Sequence, residues 1–260
     1  MNYQNINLKP TIDPKLRNNI FSLKKYNFNS YELYLHYTYN SLNEVFFSTK
    51  GTFIGLNVSK SLHNTIDVNF SDPFIANISG STNNFTKLGV DFEKRIPLKR
   101  KIIGIMGFNS AFIFEDAISA NDIKLFEFGV GANYFLGGNI ANPRKDSYVF
   151  PGLNESELIV SQFFRLNFGL QMNPMNNFYI IPHIDVASVG FGNFNNYIKD
   201  AFSAAGKWSD SEESSFLASA GVMISYDSIL GPINFDASWV NNTNKFRFLI
   251  GIGLNFNRSI

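Results

Sequence analysis

The chain alternates between apolar and polar residues, and that constrains its fold more than any other feature. Near the C-terminal end Phe246, Phe248, Ile250, Ile252, Leu254 and Phe256 share one parity. Arg247, Gly251, Gly253 and Asn255 share the other, with Leu249 the only bulky apolar exception. A period of two belongs to a β-strand, here with one apolar face and one small or polar face. The same pattern recurs along the chain, in segments about as long as a strand needs to cross a bilayer and with polar connections between them. Repetition on this scale points to a transmembrane β-barrel, whose strands turn apolar residues to lipid and small or polar ones to the lumen.

Eight further segments carry the pattern. Leu33, Leu35, Tyr37 and Tyr39 oppose Glu32, Tyr34, His36 and Thr38. Ile54, Leu56 and Val58 oppose Gly55, Asn57 and Ser59, and Leu88, Val90 and Phe92 oppose Lys87, Gly89, Asp91 and Glu93. Phe126, Phe128 and Val130 oppose Glu127, Gly129 and Gly131. Phe164, Leu166, Phe168 and Leu170 oppose Arg165, Asn167, Gly169 and Gln171. Ile180, Ile184 and Val186 oppose His183 and Asp185. Ala218, Ala220, Val222, Ile224 and Tyr226 oppose Ser219, Gly221, Ser225 and Asp227; Ile233, Phe235, Ala237 and Trp239 oppose Asn234, Asp236 and Ser238. The stretch 102–114 is rich in strand formers but alternates less cleanly. Phe235, Phe248, Ile250 and Ile252 are therefore expected to meet lipid, and Arg165, Asp236 and Asn255 the lumen.

Connection lengths add a second signal. Short connections at 97–101, 173–177 and 228–232 alternate with longer ones at 71–84, about 115–157 and 191–215, and 240–245 is a short member of the long class. This count places 126–132 inside a long loop. Outer-membrane barrels have short periplasmic turns and longer extracellular loops, so the long connections are expected outside the cell. A soluble β-sandwich has no reason to sort its loops this way.

Composition narrows the function. A net charge of +1 gives no basic surface for nucleic acid, and without cysteine there is no disulfide or thiolate metal site. No apolar run reaches the roughly eighteen residues of a membrane-spanning helix. No G-x-S-x-G elbow or glycine-rich phosphate loop occurs. His36, His63 and His183 lie in different segments, and His183 and Asp185 are two apart on one strand face. That pair reads as a lumenal acid–base or metal pair, or more simply as part of a polar lumen wall. The run Asp210, Glu212, Glu213 reads as a solvated loop. Lys99, Arg100 and Lys101, with Arg95, read as a basic periplasmic rim. No catalytic, cofactor-binding or metal residue is assigned, no cofactor is implied, and the chain is not expected to be an enzyme.

The motifs carry a resemblance. V-F-F-S-T-K-G at 45–51 resembles the F-F-P-T-x-G turn of the bacterial surface antigen superfamily, with Ser48 in place of the proline. L-A-S-A-G-V-M-I-S-Y-D-S-I-L-G-P-I-N-F at 217–235 and F-R-F-L-I-G-I-G-L-N-F at 246–256 resemble its last strands. N-Y-F-L-G-G at 133–138 and V-F-P-G-L at 149–153 sit where that family's long sixth loop would be. Assembly and secretion members carry an Arg-Gly pair at the loop tip, whereas here Pro151 precedes Gly152. The loop is more similar to the barrels that end outer-membrane patatin-like phospholipases.

The resemblance implies an all-β transmembrane antiparallel barrel in the bacterial outer membrane, with sixteen strands. Alternation supplies about nine to eleven of them, which reads as the C-terminal part of that barrel. Residues 1–28 read as an N-terminal segment, a partial strand or linker, and 29–260 as the barrel domain, incomplete by this count. The polar N-terminal stretch lacks an apolar export signal, which points to further strands upstream. The implied role is to anchor or translocate an attached N-terminal domain. The implied partners are outer-membrane lipid, the barrel-assembly machinery during insertion, and the upstream domain or missing strands. The rival readings are a complete small porin or channel and a barrel-embedded lipid enzyme.

Overall fold

The structure, a computed structural model, describes residues 2–8, 23–70, 72–117, 133–138, 146–201, 214–229 and 231–252. The chain enters through β1 (Asn2–Leu8), β2 (Leu23–Asn40), β3 (Gly51–Phe70), β4 (Ile78–Thr82), β5 (Phe85–Lys99) and β6 (Ile102–Glu115). Three short strands follow, β7 (Tyr134–Gly137), β8 (Ser147–Val149) and β9 (Leu158–Val160). Then come β10 (Gln162–Met175), β11 (Phe178–Gly190), the helix α1 (Phe194–Asp200), β12 (Ser214–Ser228), β13 (Gly231–Val240) and β14 (Lys245–Ile252). An eleven-stranded antiparallel sheet runs β1-β2-β3-β5-β6-β10-β11-β12-β13-β14, with β4 paired to β3. A separate three-stranded sheet has the order β8-β7-β9. The all-β antiparallel architecture is the one the alternation predicts.

The chain divides into two compact units. The larger comprises 36–57, 88–112 and 133–260. Its exposure pattern is inverted relative to a soluble protein. On β12, Phe216, Val222, Ile224 and Tyr226 are exposed, while Ser215, Ser219 and Ser225 are buried. On β14, Phe246, Phe248, Ile250 and Ile252 are each about two-thirds exposed or more. On β13, Ile233 and Phe235 face outward while Asn234, Asp236 and Ser238 are buried. Apolar outside and polar inside is the pattern of a strand between lipid and lumen.

Turns follow local chemistry. Asn177 (φ 60°) and Asn244 (φ 51°) occupy the left-handed region that asparagine tolerates, closing β10 onto β11 and β13 onto β14. The asparagine-rich stretch at 241–244 does more than face solvent. The Asn241 side-chain oxygen accepts from Ala218 N at 3.0 Å, and its own N–H donates to Ala218 O at 3.0 Å.

The smaller unit comprises 1–35, 58–87 and 113–132. Among its described residues the buried apolar ones are Tyr26, Phe28, Ile66, Val68, Phe85 and Ile113. β3 changes phase inside this unit. Ser59 and Ser61 are buried on one parity, then Asn64, Ile66 and Val68 on the other, and His63 between them has φ 56°. This is a β-bulge, in which one extra residue swaps the faces. The alternation read from the sequence stopped at Ser59 because the parity reverses beyond it.

The segment 126–132, the acidic run at 210–213 and the last four residues of the terminal alternation, Gly253 to Phe256, lie outside the described residues.

Candidate functional site

Within the larger unit, the inner faces of β10 to β13 carry a continuous ionic network. Pairing register assembles it. Asn167 of β10 pairs with Asp185 of β11, His183 pairs with Gly221 of β12, and Gly221 pairs with Ser238 of β13. Arg165 on β10 donates from Nε to Asp185 Oδ1 at 2.9 Å, with Nη2 also on that oxygen. Its Nη1 reaches Asn109 Oδ1 of β6 at 3.2 Å, and Asn109 donates to Asp91 Oδ1 of β5 at 2.7 Å. His183 places Nδ1 3.0 Å from Asp185 Oδ2 and Nε2 2.9 Å from Asp236 Oδ2. The Ser238 hydroxyl donates to Asp236 Oδ1.

Gly221 makes this bridge possible. His183 must reach across β12 to a carboxylate on β13. A Cβ at 221 would lie 2.9 Å from His183 Nε2 and 2.7 Å from the Ala237 carbonyl. Only a residue without a side chain leaves that path open.

Ser238, His183 and Asp185 together have the composition of a nucleophile, a base and an orienting carboxylate, with Ser238 Oγ 3.4 Å from His183 Nε2. The arrangement does not serve that chemistry. A ring nitrogen facing a carboxylate acts as a donor, so Nε2 has no lone pair to offer the serine. The serine proton is itself directed at Asp236. Both nitrogens of His183 are engaged by carboxylates. This network stores charge in matched pairs in a polar interior, where each partner offsets the desolvation of the other.

A second ionic group lies toward the short turns. Arg95 donates to Glu93 at 2.6 Å and to Gln171 at 3.0 Å, and Gln171 donates to the Phe47 carbonyl at 2.9 Å. The sequence placed Arg95 with the basic rim of Lys99 to Lys101; the structure turns it inward instead. Phe47 stacks on Tyr179 with ring centroids 3.9 Å apart. The connection 41–50 is pinned internally by Asn43, whose Oδ1 accepts from Ser48 Oγ and from the N–H groups of Thr49 and Lys50. This is the V-F-F-S-T-K-G segment singled out in the sequence. Glu93, Arg95, Arg165, His183 and Asp236 line a cavity of 270 Å³.

The described part of the connection between β6 and β10 packs against the inner face of β12 and β13. Tyr134, Leu136, Phe150 and Leu153 are fully buried. At its tip Gly152 has φ 85°, and a Cβ there would collide with Val240 and lie 3.4 Å from Ser238 Cβ. Arg247 of β14 clamps the loop. Its guanidinium donates to both carboxylate oxygens of Glu157, one at 2.9 Å, and to the Gly152 carbonyl at 3.3 Å. Burial pushes the Glu157 carboxyl up, but hydrogen bonds from Arg247 and the Asn154 N–H outweigh it and hold the pKa below the ordinary glutamate value. The arginine absent from the loop tip is thus matched by one reaching in from the last strand.

Of the three histidines, His183 bridges two carboxylates of the network. The His36 ring contacts Asn57 and Thr38, and His63 sits at the bulge. The pairing of His183 with Asp185 was legible from their spacing. Arg165 and Asp236 had been placed on the lumenal face, but their meeting with His183 depends on strand register, which alternation does not contain.

The Omp85 superfamily domain matches residues 1–256. Among solved structures, the chain is similar to BamA from Haemophilus ducreyi lacking POTRA domains 1–3, at 18% identity with a TM-score of 0.49. That alignment covers 88% of this chain and 42% of the other, so this chain spans less than half of that one. No curated protein matches it.

Proposed function

The chain belongs to the Omp85 superfamily and lies in the bacterial outer membrane, and from that premise we propose that it anchors, or passes across the membrane, a domain attached on its N-terminal side. The observation that carries the membrane part is the outward face of β12. From Phe216 to Tyr226 every second residue is apolar. Ten steps at about 3.3 Å rise span about 33 Å of strand. At a tilt of about 40° this is an apolar band about 25 Å tall, the height of an outer-membrane barrel's lipid belt.

The covered polar face favours anchoring or gated passage over an open porin. A porin keeps water along its polar face. Here the loop tip is packed against that face and clamped through Arg247 and Glu157. On this reading the chain performs no bond chemistry, and His183 serves the ionic network. Its partners are lipid acyl chains, the assembly machinery that inserts barrels, and the attached domain. The F-L-G-G and P-G-L motifs of the loop, with Pro151 where an arginine would stand, favour a patatin-like domain as the passenger.

The test combines fractionation with conductance. A reporter placed ahead of residue 1 in the natural polypeptide should sediment with the outer membrane only while the barrel is intact. The purified protein in a planar bilayer should stay closed. Release of the reporter into the periplasm together with steady, porin-sized conductance would replace this reading with that of a small channel.

A further inference from the structure

We infer that the edge of the membrane crosses the strands of the smaller unit at one level, that of Ser30 and Asn64, and that beyond it the sheet stands in water on the side of the long connections. The inference rests on the membrane reading above and concerns only residues of that unit.

Both faces of the sheet change character at this level. On β2, exposed Tyr31, Leu33 and Leu35 give way to the partly exposed Lys25, Asn27 and Asn29. On the opposite face, buried Glu32 and Ser30 give way to buried Phe28 and Tyr26. β3 repeats the change around its bulge. Exposed Val58 and Leu62, with Lys60 between them paired to Asp116 at 2.5 Å, give way to Thr65, Asp67 and Asn69, while buried Ser59 and Ser61 give way to Ile66 and Val68. On β5, the covered face changes from Lys87 to Phe85.

On one side of the level the sheet is apolar outside and polar inside, which suits lipid. On the other it is polar outside and apolar inside, which suits water. Hydrogen bonds mark the change. Ser30 donates to Asn64 at 2.7 Å, Asn64 donates to Ser61 at 3.0 Å and to the Asn83 carbonyl at 2.9 Å, and Ser61 accepts from Phe85 N at 2.7 Å. A strand crosses a bilayer in about ten residues, and the 20 residues of β3 exceed that.

Cysteine placement tests this, since the chain has none of its own. Single variants Asn27→Cys, Asp67→Cys, Leu33→Cys and Val58→Cys would be spin-labelled in phosphatidylcholine vesicles, with Ile250→Cys as the lipid reference. Labels at 27 and 67 should be relaxed by a water-soluble nickel chelate, and labels at 33, 58 and 250 by oxygen. A hydrophilic maleimide on intact cells should modify position 27 and lose its reaction at position 33. Oxygen-dominated relaxation at 27 and 67 would overturn the inferred boundary while leaving the membrane reading in place. Nickel-dominated relaxation at all five sites would overturn both.

Discussion

Gly221 and His183 illustrate how much one position depends on its neighbours across the sheet. His183 neutralises Asp236, which also accepts from the Ser238 hydroxyl, whereas Asp185 also has Arg165. Removing the imidazole by His183→Ala leaves a buried carboxylate without a cation, which should cost about 3–5 kcal/mol. Adding Asp236→Asn to that variant removes the orphaned charge. The double variant should therefore be more stable than His183→Ala alone, as read by urea unfolding followed by tryptophan fluorescence. A double variant less stable than the single one would show that the carboxylate is not the source of the loss. Gly221→Ala should destabilise by about 1–3 kcal/mol, because the new methyl meets a backbone carbonyl that cannot swing away. At this scale the sequence showed which residues face inward. It could not show that a histidine on one strand meets an aspartate two strands away, since that needs the register of both pairings.

Among the elements, the loop before β10 is held to the sheet by a contact that responds to pH. Glu157 is bonded to Arg247 and has a folded-state pKa below its ordinary value. Its contribution is therefore fully present above the unfolded glutamate pKa and is lost as pH falls through the lower folded value. Proteolysis within 146–157 should stay slow at neutral pH and accelerate in the acid range below ordinary glutamate titration. Glu157→Gln should show faster cleavage at neutral pH and lose that acid-dependent step; an unchanged acid step in this variant would assign it to another group. Some elements were readable in advance. The short turns after β5, β10 and β12 fall where the connection lengths placed them. β3 was read at about half its extent, because a residue with positive φ at 63 reverses the parity on which the reading depends. The inward fold of the loop had no periodic signal, and its anchor comes from a strand some ninety residues away in sequence.

For the whole molecule, the governing question is which solvent meets each surface. Phe246, Phe248, Ile250 and Ile252 are the exposed apolar residues of β14, and Ile250 lies inside that row. Ile250→Arg should cost about 2–4 kcal/mol if it lies near the bilayer midplane. Arginine at an already polar, water-facing site, as in Asn69→Arg, should leave stability nearly unchanged. Equal effects at the two positions would mean that both see the same solvent. The same reasoning gives the direction of insertion. Met175 ends β10 at a short turn, and Phe74 lies in a connection of the long class; both side chains are exposed, Phe74 almost completely. Outer-membrane barrels keep their short turns in the periplasm. On intact cells, Phe74→Cys should react with a membrane-impermeant maleimide, while Met175→Cys should react only after the outer membrane is breached. Reaction at Met175 with protection at Phe74 would invert the orientation while preserving the barrel. Reaction at both would mean that the strands between them do not separate two compartments, and the membrane assignment would fall with the topology.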